Sequence, residues 1–414
     1  MSLTFFLCWV CLLMSLLQCP VESQGRPKFF NVMEYGAIAD GTTDSSEAFL
    51  KAWKEACEWK GRATFVVPLG KIFMVNSIMF EGSCKGQMVF LIRGILKAPT
   101  DPSKFLTENW INFRYVDNLT VSGDGTLDGQ GKVAWPYNDC RKNPHCPALP
   151  VTMRFDFVRN ARVHHLRSID SKGAHFIIFG CQDMNISNIN ISAPGDSPNT
   201  DGIKIGSSQR IGIAHSNIAT GDDCIAMLPG TREVNISDVV CGPGHGISIG
   251  SLGKSGDEDV LSGIVVKNCT IRGTSDGVRI KTWAYPMLKD TEASNFVYED
   301  IFMDNVSNPI IIDQQYCPVP PCKFVPSRVQ ISNVTYKNIW GSSGSKVAVT
   351  LRCSWKRPCN NVVLEDIDLS YGSGYDGNAT ALCSHVNGHA LGKQNPPSCL
   401  QSNWPPPFSS KFLG

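Results

Sequence analysis

The sequence has no marked excess of either charge: its formal net charge is +1, and only 18% of its residues are charged. Such a chain has no global field that would recruit nucleic acid or an anionic membrane, so a polyanion would have to be recognised by a local cluster. After residue 17 the sequence also lacks any apolar run long enough to cross a bilayer. We therefore expect neither nucleic acid nor a membrane as a partner.

The one long apolar run lies at the N-terminus. Residues 3–17 are almost wholly apolar, and Ser23, with Val21 two positions earlier, suits cleavage by signal peptidase. A membrane anchor is the alternative, but the run is short for a span and lacks basic flanks. We predict a signal peptide over residues 1–23 and a secreted, extracellular mature chain.

Fourteen of the 17 cysteines follow the predicted signal peptide, and an even number in a secreted chain is typical of disulfides. They include no Cys-x-x-Cys pair of the kind that holds zinc. Spacing does not determine connectivity, but close neighbours suggest five bridges: Cys57–Cys84, Cys224–Cys241, Cys317–Cys322, Cys353–Cys359 and Cys383–Cys399.

Asn-x-Ser/Thr sequons are frequent, as expected of a secreted glycoprotein. They occur at Asn118, Asn185, Asn190, Asn235, Asn268, Asn305, Asn333 and Asn378.

A repeat of short strands gives the main indication of the fold. Pairs of apolar runs bracket Asn or Asp in segments that begin at residues 184, 211, 234, 264, 296, 329 and 362, at intervals of 23 to 33 residues. Second strands such as "DGIKIG" and "HGISIG" lie between them. No long helical periodicity is present, and a sandwich would show hairpin turns every 8–12 residues. Propeller blades are longer, at about 40–45 residues. We predict an all-β, right-handed parallel β-helix.

The open ends of such a solenoid need covering. In "TTDSSEAFLKAWKEAC" the apolar residues fall at helical spacing, so we predict a short capping helix over the N-terminal end, begun by Asp44 or Ser45. The Pro-rich stretch from Asn395 predicts an irregular tail. The predicted domains are a β-helix over residues 24–394 and a tail over residues 395–414.

Polar residues recur at intervals close to one coil. Asp201 is followed by Asp222 and Asp223 after 21 and 22 residues, by His245 after a similar interval, and by Arg279 and Lys281 about 34 residues later. Stacked coils would bring all six onto one face. Taken alone, each residue could simply belong to a turn or to a solvent-facing strand. Asp201, for example, lies in the turn-like sequence Asn-Thr-Asp-Gly. The alignment of all six residues on one face favours a functional site over separate structural roles.

This combination of groups suits acid–base hydrolysis of an acidic polysaccharide. Repulsion among carboxylates can hold a proton on one acid, which then donates it, while another acid stays ionised and activates water. Arg279 and Lys281 lie two apart on a strand, so both face one side and can bind an anionic group. We predict that repulsion from its neighbour keeps Asp222 protonated, and that a bend at Gly221 lets both acids reach the substrate.

At these residues the sequence resembles plant polygalacturonases of glycoside hydrolase family 28. The ordered motifs are "SPNTDGI" (197–203), "TGDDCI" (220–225), "CGPGHGISIGSLG" (241–253), "GVRIKTW" (277–283) and "IDQQYC" (312–317). Lys204 in "DGIKIGSS" makes the chain most similar to pollen-type exopolygalacturonases. The resemblance covers essentially the whole mature chain and implies a monomeric cell-wall enzyme with a pectin-lyase-like solenoid and no metal or organic cofactor.

The resemblance also implies roles for individual residues. Asp222 would be the general acid, Asp201 and Asp223 would activate water, and His245 would tune the acid. Substrate-binding residues would be Arg279, Lys281, Tyr316, Lys204 and Asn199. The implied reaction is hydrolysis of α-1,4 bonds between galacturonic acids, with inversion and from the non-reducing end.

Three alternatives stay open from sequence. The enzyme could be endo-acting, because spacing does not reveal whether loops close the cleft. It could be an inert wall-binding β-helix, although the complete set of polar residues argues against that. A pectate lyase shares the solenoid but needs calcium. Coil stacking also places Asp201 and Asp222 about 5 Å apart, closer than the 6.5–9.5 Å usual for inverting enzymes.

Overall fold

The computed structural model describes residues 25–400 except 106, 140–142, 144–145, 147, 256, 286–288, 323–324 and 373–376. The predicted signal peptide and residues 401–414 of the predicted tail lie outside the described residues. Residues 396–400 are described and form no regular element. No helix in the described segments is long and apolar enough to span a membrane.

The described residues form two sheets, here called sheet A and sheet B. Sheet A contains β1 (Gly25–Asn31), β2 (Asp40–Asp44), β3 (Gly61–Val67), β4 (Ile72–Met74), β6 (Met88–Ile92), β7 (Ile95–Lys97), β9 (Leu119–Ser122), β10 (Thr126–Asp128), β12 (Arg159–Ile169), β14 (Gln182–Ser192), β16 (Gln209–Ala219), β18 (Arg232–Cys241), β20 (Leu261–Arg272), β22 (Thr291–Val306), β24 (Val329–Ser343), β26 (Cys359–Tyr371) and β28 (Val386–Asn395). Sheet B contains β5 (Ile78–Glu81), β8 (Asn109–Arg114), β11 (Val151–Asp156), β13 (Phe176–Phe179), β15 (Ile203–Gly206), β17 (Ile225–Met227), β19 (Ile247–Leu252), β21 (Asp276–Trp283), β23 (Asn308–Tyr316), β25 (Val347–Arg352) and β27 (Thr380–Ser384).

One α-helix, α1, spans Ser46–Glu58, and short 3-10 helices cover Val32–Tyr35, Pro102–Lys104, Gly131–Val133 and Trp135–Tyr137. In the central coils a long strand of sheet A alternates along the chain with a strand of sheet B. Each strand pairs in parallel with its equivalents in the neighbouring coils. Parallel neighbours cannot be joined by hairpins. The architecture is therefore the predicted right-handed parallel β-helix, not a sandwich or a propeller.

A stack of left-handed residues bends the long strands of sheet A. One residue near the middle of each strand has a positive φ, and Asn and Asp adopt this conformation more readily than most residues. These residues are His165, Asn188, His215, Asp238, Asn268, Asp300, Asn338 and Asp366. The amide of Asn338 donates to Asp300 Oδ1 at 2.7 Å. The bend explains why the repeat reads as two apolar runs around a polar residue.

Apolar residues form continuous rows inside the solenoid. In sheet B, Ile203, Ile225, Ile247, Val278 and Ile310 are successive register partners, and each is completely buried. Burial of one such side chain stabilises the fold by about 1.5–3 kcal/mol. These rows fix the register of sheet B and hence the relative positions of the polar residues beside them.

The predicted capping helix is confirmed as α1. Its buried residues include Phe49, Trp53 and Cys57, and the Trp53 indole donates to the carbonyl of Glu81 at 3.0 Å. Ser45 occupies the N-cap position but makes no side-chain capping bond. Instead, Asp44 Oδ1 accepts from the backbone N–H of Ser46 at 3.0 Å. The helix covers the first coils of the solenoid, where Trp53 packs among phenylalanine rings.

All five suggested disulfides are present. Cys181 and Cys269 are buried free thiols, so an even count did not mean that every cysteine is bonded. Cys146 is disulfide-bonded, while Cys140 lies outside the described residues. The eight sequon asparagines are all exposed, which leaves glycosylation at each of them a prediction.

Candidate active site

Three turns that precede strands of sheet B carry the acids and the histidine. Asp201, Asp223 and His245 each lie two residues before an isoleucine of the same buried row, so they occupy equivalent positions in successive coils. Coils stack about 4.8 Å apart. The predicted clustering of these residues is therefore confirmed by the register.

A bend lets both neighbouring acids reach this cluster. Gly221, Asp222 and Asp223 precede β17 and are not part of it, so strand alternation does not apply to the two acids. A Cβ on Gly221 would lie 2.0 Å from the carbonyl oxygen of Ser197, which only glycine allows. The bend expected around Gly221 is present.

Asp222 and His245 form a hydrogen-bonded pair. His245 Nδ1 lies 3.0 Å from Asp222 Oδ1, and the backbone N–H of His245 donates to the carbonyl of Asp222 at 2.8 Å. The Cys224–Cys241 disulfide lies beside the pair and connects the segment after Asp222 to the segment before His245. The Asp222 side chain is 19% exposed, compared with 4% for Asp201 and 3% for Asp223. Asp222 is therefore the acid that an incoming ligand can reach most easily.

Asp223 is bound by two cations. Its Oδ1 accepts from Arg279 Nη2 at 2.6 Å and from the Ser248 hydroxyl at 2.8 Å, and its Oδ2 accepts from Lys281 Nζ at 2.7 Å. A second carboxylate, Asp276, accepts from Arg279 Nη1 at 2.8 Å. Ionic hydrogen bonds of this kind fix both cations on the outer face of β21.

Asp201 is almost completely buried, and its partner is Lys204. The Lys204 ammonium lies 2.9 Å from Asp201 Oδ1. Burial raises the pKa of Asp201 to about 7, with repulsion from Asp222 and Asp223 acting in the same direction and Lys204 opposing it. Asp201 is therefore protonated in the free site up to about neutral pH.

The proton of the free site does not lie on Asp222, contrary to the prediction from adjacent charges. Burial would raise the pKa of Asp222, but the hydrogen bond and positive charge of His245, with Lys204 and Lys281, lower it well below its usual value. The same pairing raises the pKa of His245. Asp201 and Asp223 are equally buried, but only Lys204 opposes the effect of burial on Asp201, whereas both Lys281 and Arg279 oppose it on Asp223.

Asn199 connects Asp222 to a neighbouring loop. Its amide donates to Asp222 Oδ2 at 3.3 Å, and its Oδ1 accepts from Asn138 at 3.0 Å. Asn199 has a φ of 54°, a left-handed conformation that asparagine tolerates. Asn199 therefore joins the loop that ends at Asn138 to the centre of the site.

Tyr316 lies at the side of the site nearer the C-terminus. The Lys281 ammonium is 5.4 Å from the centroid of its ring, and the ring packs edge-on against Trp283. Burial raises the pKa of Tyr316 to about 12, so its hydroxyl remains protonated. The structure thus brings all nine predicted site residues into one connected region.

The cluster could in principle hold a metal ion, because ligand atoms of Asp222, Asp223 and His245 lie within 4.8 Å of one another. Both oxygens of Asp223 are occupied by Arg279 and Lys281, however. Two cations at hydrogen-bonding distance repel a third, so these residues do not fit a resident metal.

Four residues of the site were missed from sequence: Ser248, Asp276, Asn138 and Trp283. Asp276 lies three positions before Arg279 and could have been suspected as its partner. Ser248 is the register partner of Arg279, which becomes evident only when the coil lengths are known. Asn138 belongs to a loop outside the repeat, and nothing in its local sequence indicates a place in the site.

The site thus combines two buried carboxylates, a third that is partly exposed, a histidine and two fixed cations on a parallel β-helix, an arrangement that suits acid–base hydrolysis. Residues 57–398 match the family model of the glycosyl hydrolases family 28. The chain belongs to this family and is a glycoside hydrolase.

Relatives with known names extend over nearly the whole chain. An exopolygalacturonase of Platanus acerifolia is 46% identical over 91% of this chain and 98% of the relative. An exopolygalacturonase of Oenothera organensis is 47% identical over 87% of this chain and 99% of the relative. A polygalacturonase of Gossypium barbadense is 44% identical over 91% and 92%.

Solved structures share the fold at lower identity. An exopolygalacturonase of Thermotoga maritima superimposes with a TM-score of 0.73 at 20% identity, covering 89% of this chain and 92% of that one. A polygalacturonase of Erwinia carotovora gives a TM-score of 0.71 at 22% identity, covering 89% and 97%. These similarities support the β-helix alone.

Proposed function

We propose that the protein is a secreted exopolygalacturonase that releases galacturonic acid from the non-reducing end of polygalacturonate in the cell wall. The main support for this proposal is the 46–47% identity to two exopolygalacturonases over at least 87% of the chain. The predicted signal peptide and the five disulfides support secretion.

The charges of the site suit one galacturonate carboxylate. With Asp201 protonated, three ionised carboxylates (Asp222, Asp223 and Asp276) face four cations (Lys204, His245, Arg279 and Lys281), which leaves a net positive charge. Arg279 and Lys281 also have donors that their protein partners do not use. We assign these two residues to the substrate carboxylate and Tyr316 to the adjoining sugar.

Asp222 is assigned as the general acid and Asp201, with Asp223, as the group that activates water. In the forward reaction Asp222 gives a proton to the glycosidic oxygen while Asp201 takes one from the attacking water. The site then holds its proton on Asp201 and leaves Asp222 ionised. This is the distribution that the pKa directions give for the free site.

The free site therefore corresponds to the state reached after one turnover. One proton must move from Asp201 to Asp222 before the next bond is cleaved. Substrate binding favours this transfer, because the sugar removes water from the more exposed Asp222 and raises its pKa. Because the acids interact, the pKa of about 7 is a property of the cluster as a whole. We expect kcat/KM to fall as the pH rises through about 7, because the proton of Asp201 is lost there.

We expect His245→Gln to lower kcat about 10²-fold, the loss typical of removing one hydrogen-bond donor at a reacting group. Because protonated His245 keeps the pKa of Asp222 low, its loss should also move the acidic limb of the pH–kcat profile to higher pH. The matched control is His215→Gln, which alters an exposed histidine 3.7 Å from Asp238 on sheet A. An unchanged acidic limb in His245→Gln would contradict the tuning role.

A wall beside the acid supports exo action. The wall consists of the 3-10 helices over Gly131–Val133 and Trp135–Tyr137, which lead to Asn138. The Asn138 amide donates to Asn199, and the Asn199 amide donates to Asp222. The Trp135 indole anchors this wall by donating to the carbonyl of Ser171 at 3.0 Å. We propose that the wall closes the cleft at the side of the non-reducing end and leaves room for one sugar.

Viscosity and reducing ends measured together on polygalacturonate test the exo assignment. We expect reducing ends to accumulate while the viscosity stays high, with galacturonic acid as the earliest product. An early collapse of viscosity would instead establish an endo-acting enzyme. Binding without release of any sugar would establish an inert wall-binding protein.

A further inference from the structure

Sheet A carries a groove that the proposed catalytic function does not use. Two adjoining concavities, of about 380 and 290 Å³, share Thr120 on β9. Arg62 and His164 line the first, and Arg162 lines the second. We call the two together the cationic groove. The candidate active site lies on sheet B, so the two regions belong to different sheets of the solenoid.

The arginines in and next to this groove have no acidic partners. Arg62, Arg159, Arg162 and Arg167 are exposed, and none has a carboxylate oxygen within 4.0 Å among the residues that the structure describes. The pKa of His164 is lowered by burial and by repulsion from His165 and Arg162, and the charge of Asp124 opposes this shift only in part. The groove is therefore a local positive region on a chain whose net charge is only +1.

Several cations elsewhere on sheet A have acidic partners. Lys337 lies 3.7 Å from Glu299 and 3.5 Å from Glu365. Arg210 pairs with Asp183 at 2.6 Å, and Lys393 pairs with Asp368 at 2.7 Å. The arginines of the groove differ from these three cations because none of them has such a partner among the described residues.

The groove runs along the axis of the solenoid. Phe29, Thr64, Val89, Thr120 and Arg162 are register partners on β1, β3, β6, β9 and β12. Four coil intervals of about 4.8 Å give a row of about 19 Å, which is long enough for several sugars of an extended chain. The Phe29 side chain is 65% exposed at one end and offers a flat apolar surface to a sugar ring.

We propose that the cationic groove is a second, noncatalytic binding site for an anionic polysaccharide. Its length suits an extended polymer, and its unpaired arginines suit regularly spaced carboxylates. The identity of the polymer, polygalacturonate, rests on the proposed function. Occupancy of the groove holds the enzyme on its polymer between cleavage events and raises the effective concentration of chain ends at the active site.

The test compares two charge-reversal variants. Both are treated with endoglycosidase, because Asn118 at the groove lies in a sequon. Arg62→Glu/Arg162→Glu alters the groove, and Arg210→Glu/Lys393→Glu makes the same change in charge at paired sites of sheet A. Each is combined with Asp222→Asn, and the affinity for long polygalacturonate is measured at two salt concentrations. Trigalacturonate hydrolysis is measured with Asp222 intact.

We expect the groove variant to bind the polymer about tenfold or more weakly, with a smaller salt dependence, while the control variant changes less than about twofold. Hydrolysis of trigalacturonate should be unchanged in both. Equal polymer affinity in the groove and control variants would overturn the proposal, as would groove-dependent binding to anionic lipid vesicles in place of polygalacturonate. If the protein with Asp222 intact hydrolyses no galacturonan, the proposed function fails, whereas a missing groove effect in an active enzyme refutes the groove alone.

Discussion

Asp222→Asn is expected to lower kcat on polygalacturonate by about 10²–10⁴-fold, because the leaving oxygen then receives no proton from the enzyme. The fold should be preserved, since asparagine has nearly the same shape and its Oδ1 can still accept from the backbone N–H of Asp223, as Asp222 does at 2.8 Å. Circular dichroism and thermal unfolding check the fold, and initial rates of sugar release measure the loss.

A substrate with an acidic leaving group separates acid catalysis from a general defect of the site. An aryl galacturonide whose phenolate leaves without protonation should restore much of the rate in Asp222→Asn, but little in Asp201→Asn. Asp196→Asn, at an exposed position in the loop before β15, is the matched control and should retain full activity. Full activity of Asp222→Asn on polygalacturonate would refute the assignment of the acid.

Asp201→Asn is expected to inactivate the enzyme and yet stabilise its fold at neutral pH. The folded-state pKa of Asp201 is raised from 3.8 to about 7, so its ionisation opposes folding. This cost is absent below pH 3.8, grows as the pH rises, and is complete above about 7, where it amounts to at most about 4 kcal/mol. The stability difference between Asp201→Asn and the wild type should therefore increase from pH 4 to pH 7.

Asp223→Asn provides the opposite control within the same cluster. The pKa of Asp223 is lowered, because Lys281 and Arg279 outweigh the effect of its burial. Its ionised form therefore stabilises the fold above the usual carboxyl pKa, and removing it leaves two largely buried cations without their shared partner. We expect a loss of about 3–5 kcal/mol at neutral pH. Denaturant unfolding at pH 4, 5.5 and 7 measures both variants, and a stability change of the same sign in both would contradict this electrostatic account.

The repeat made most of the fold predictable. Apolar residues on either side of a left-handed Asn, Asp or His recur in every central coil, and this pattern indicates parallel stacking without reference to a template. Helical spacing around Trp53 predicted the cap, and short separations predicted the five bridges. The free thiols Cys181 and Cys269 were not predictable, because bonding depends on the distance between coils and not on parity.

The residues of the candidate site could be predicted more fully than their charge states. One coil interval separates Asp201 from Asp222 and Asp223, and a similar interval leads to His245, so their proximity follows from the sequence. The location of the proton does not follow, because it depends on how many cations contact each buried carboxyl and on the contact between His245 and Asp222. The wall at Asn138 and the cationic groove depend in the same way on side-chain positions in three dimensions.

Time-resolved proton NMR of the first product shows whether Asp222 and Asp201 act by direct attack of water. The enzyme is added to polygalacturonate and the anomeric signals are followed before mutarotation equilibrates them. Direct attack of a water activated at Asp201, with Asp222 as acid, predicts free galacturonic acid that appears first as the β-anomer. Initial appearance of the α-anomer would contradict the account, because it requires a covalent intermediate and retention.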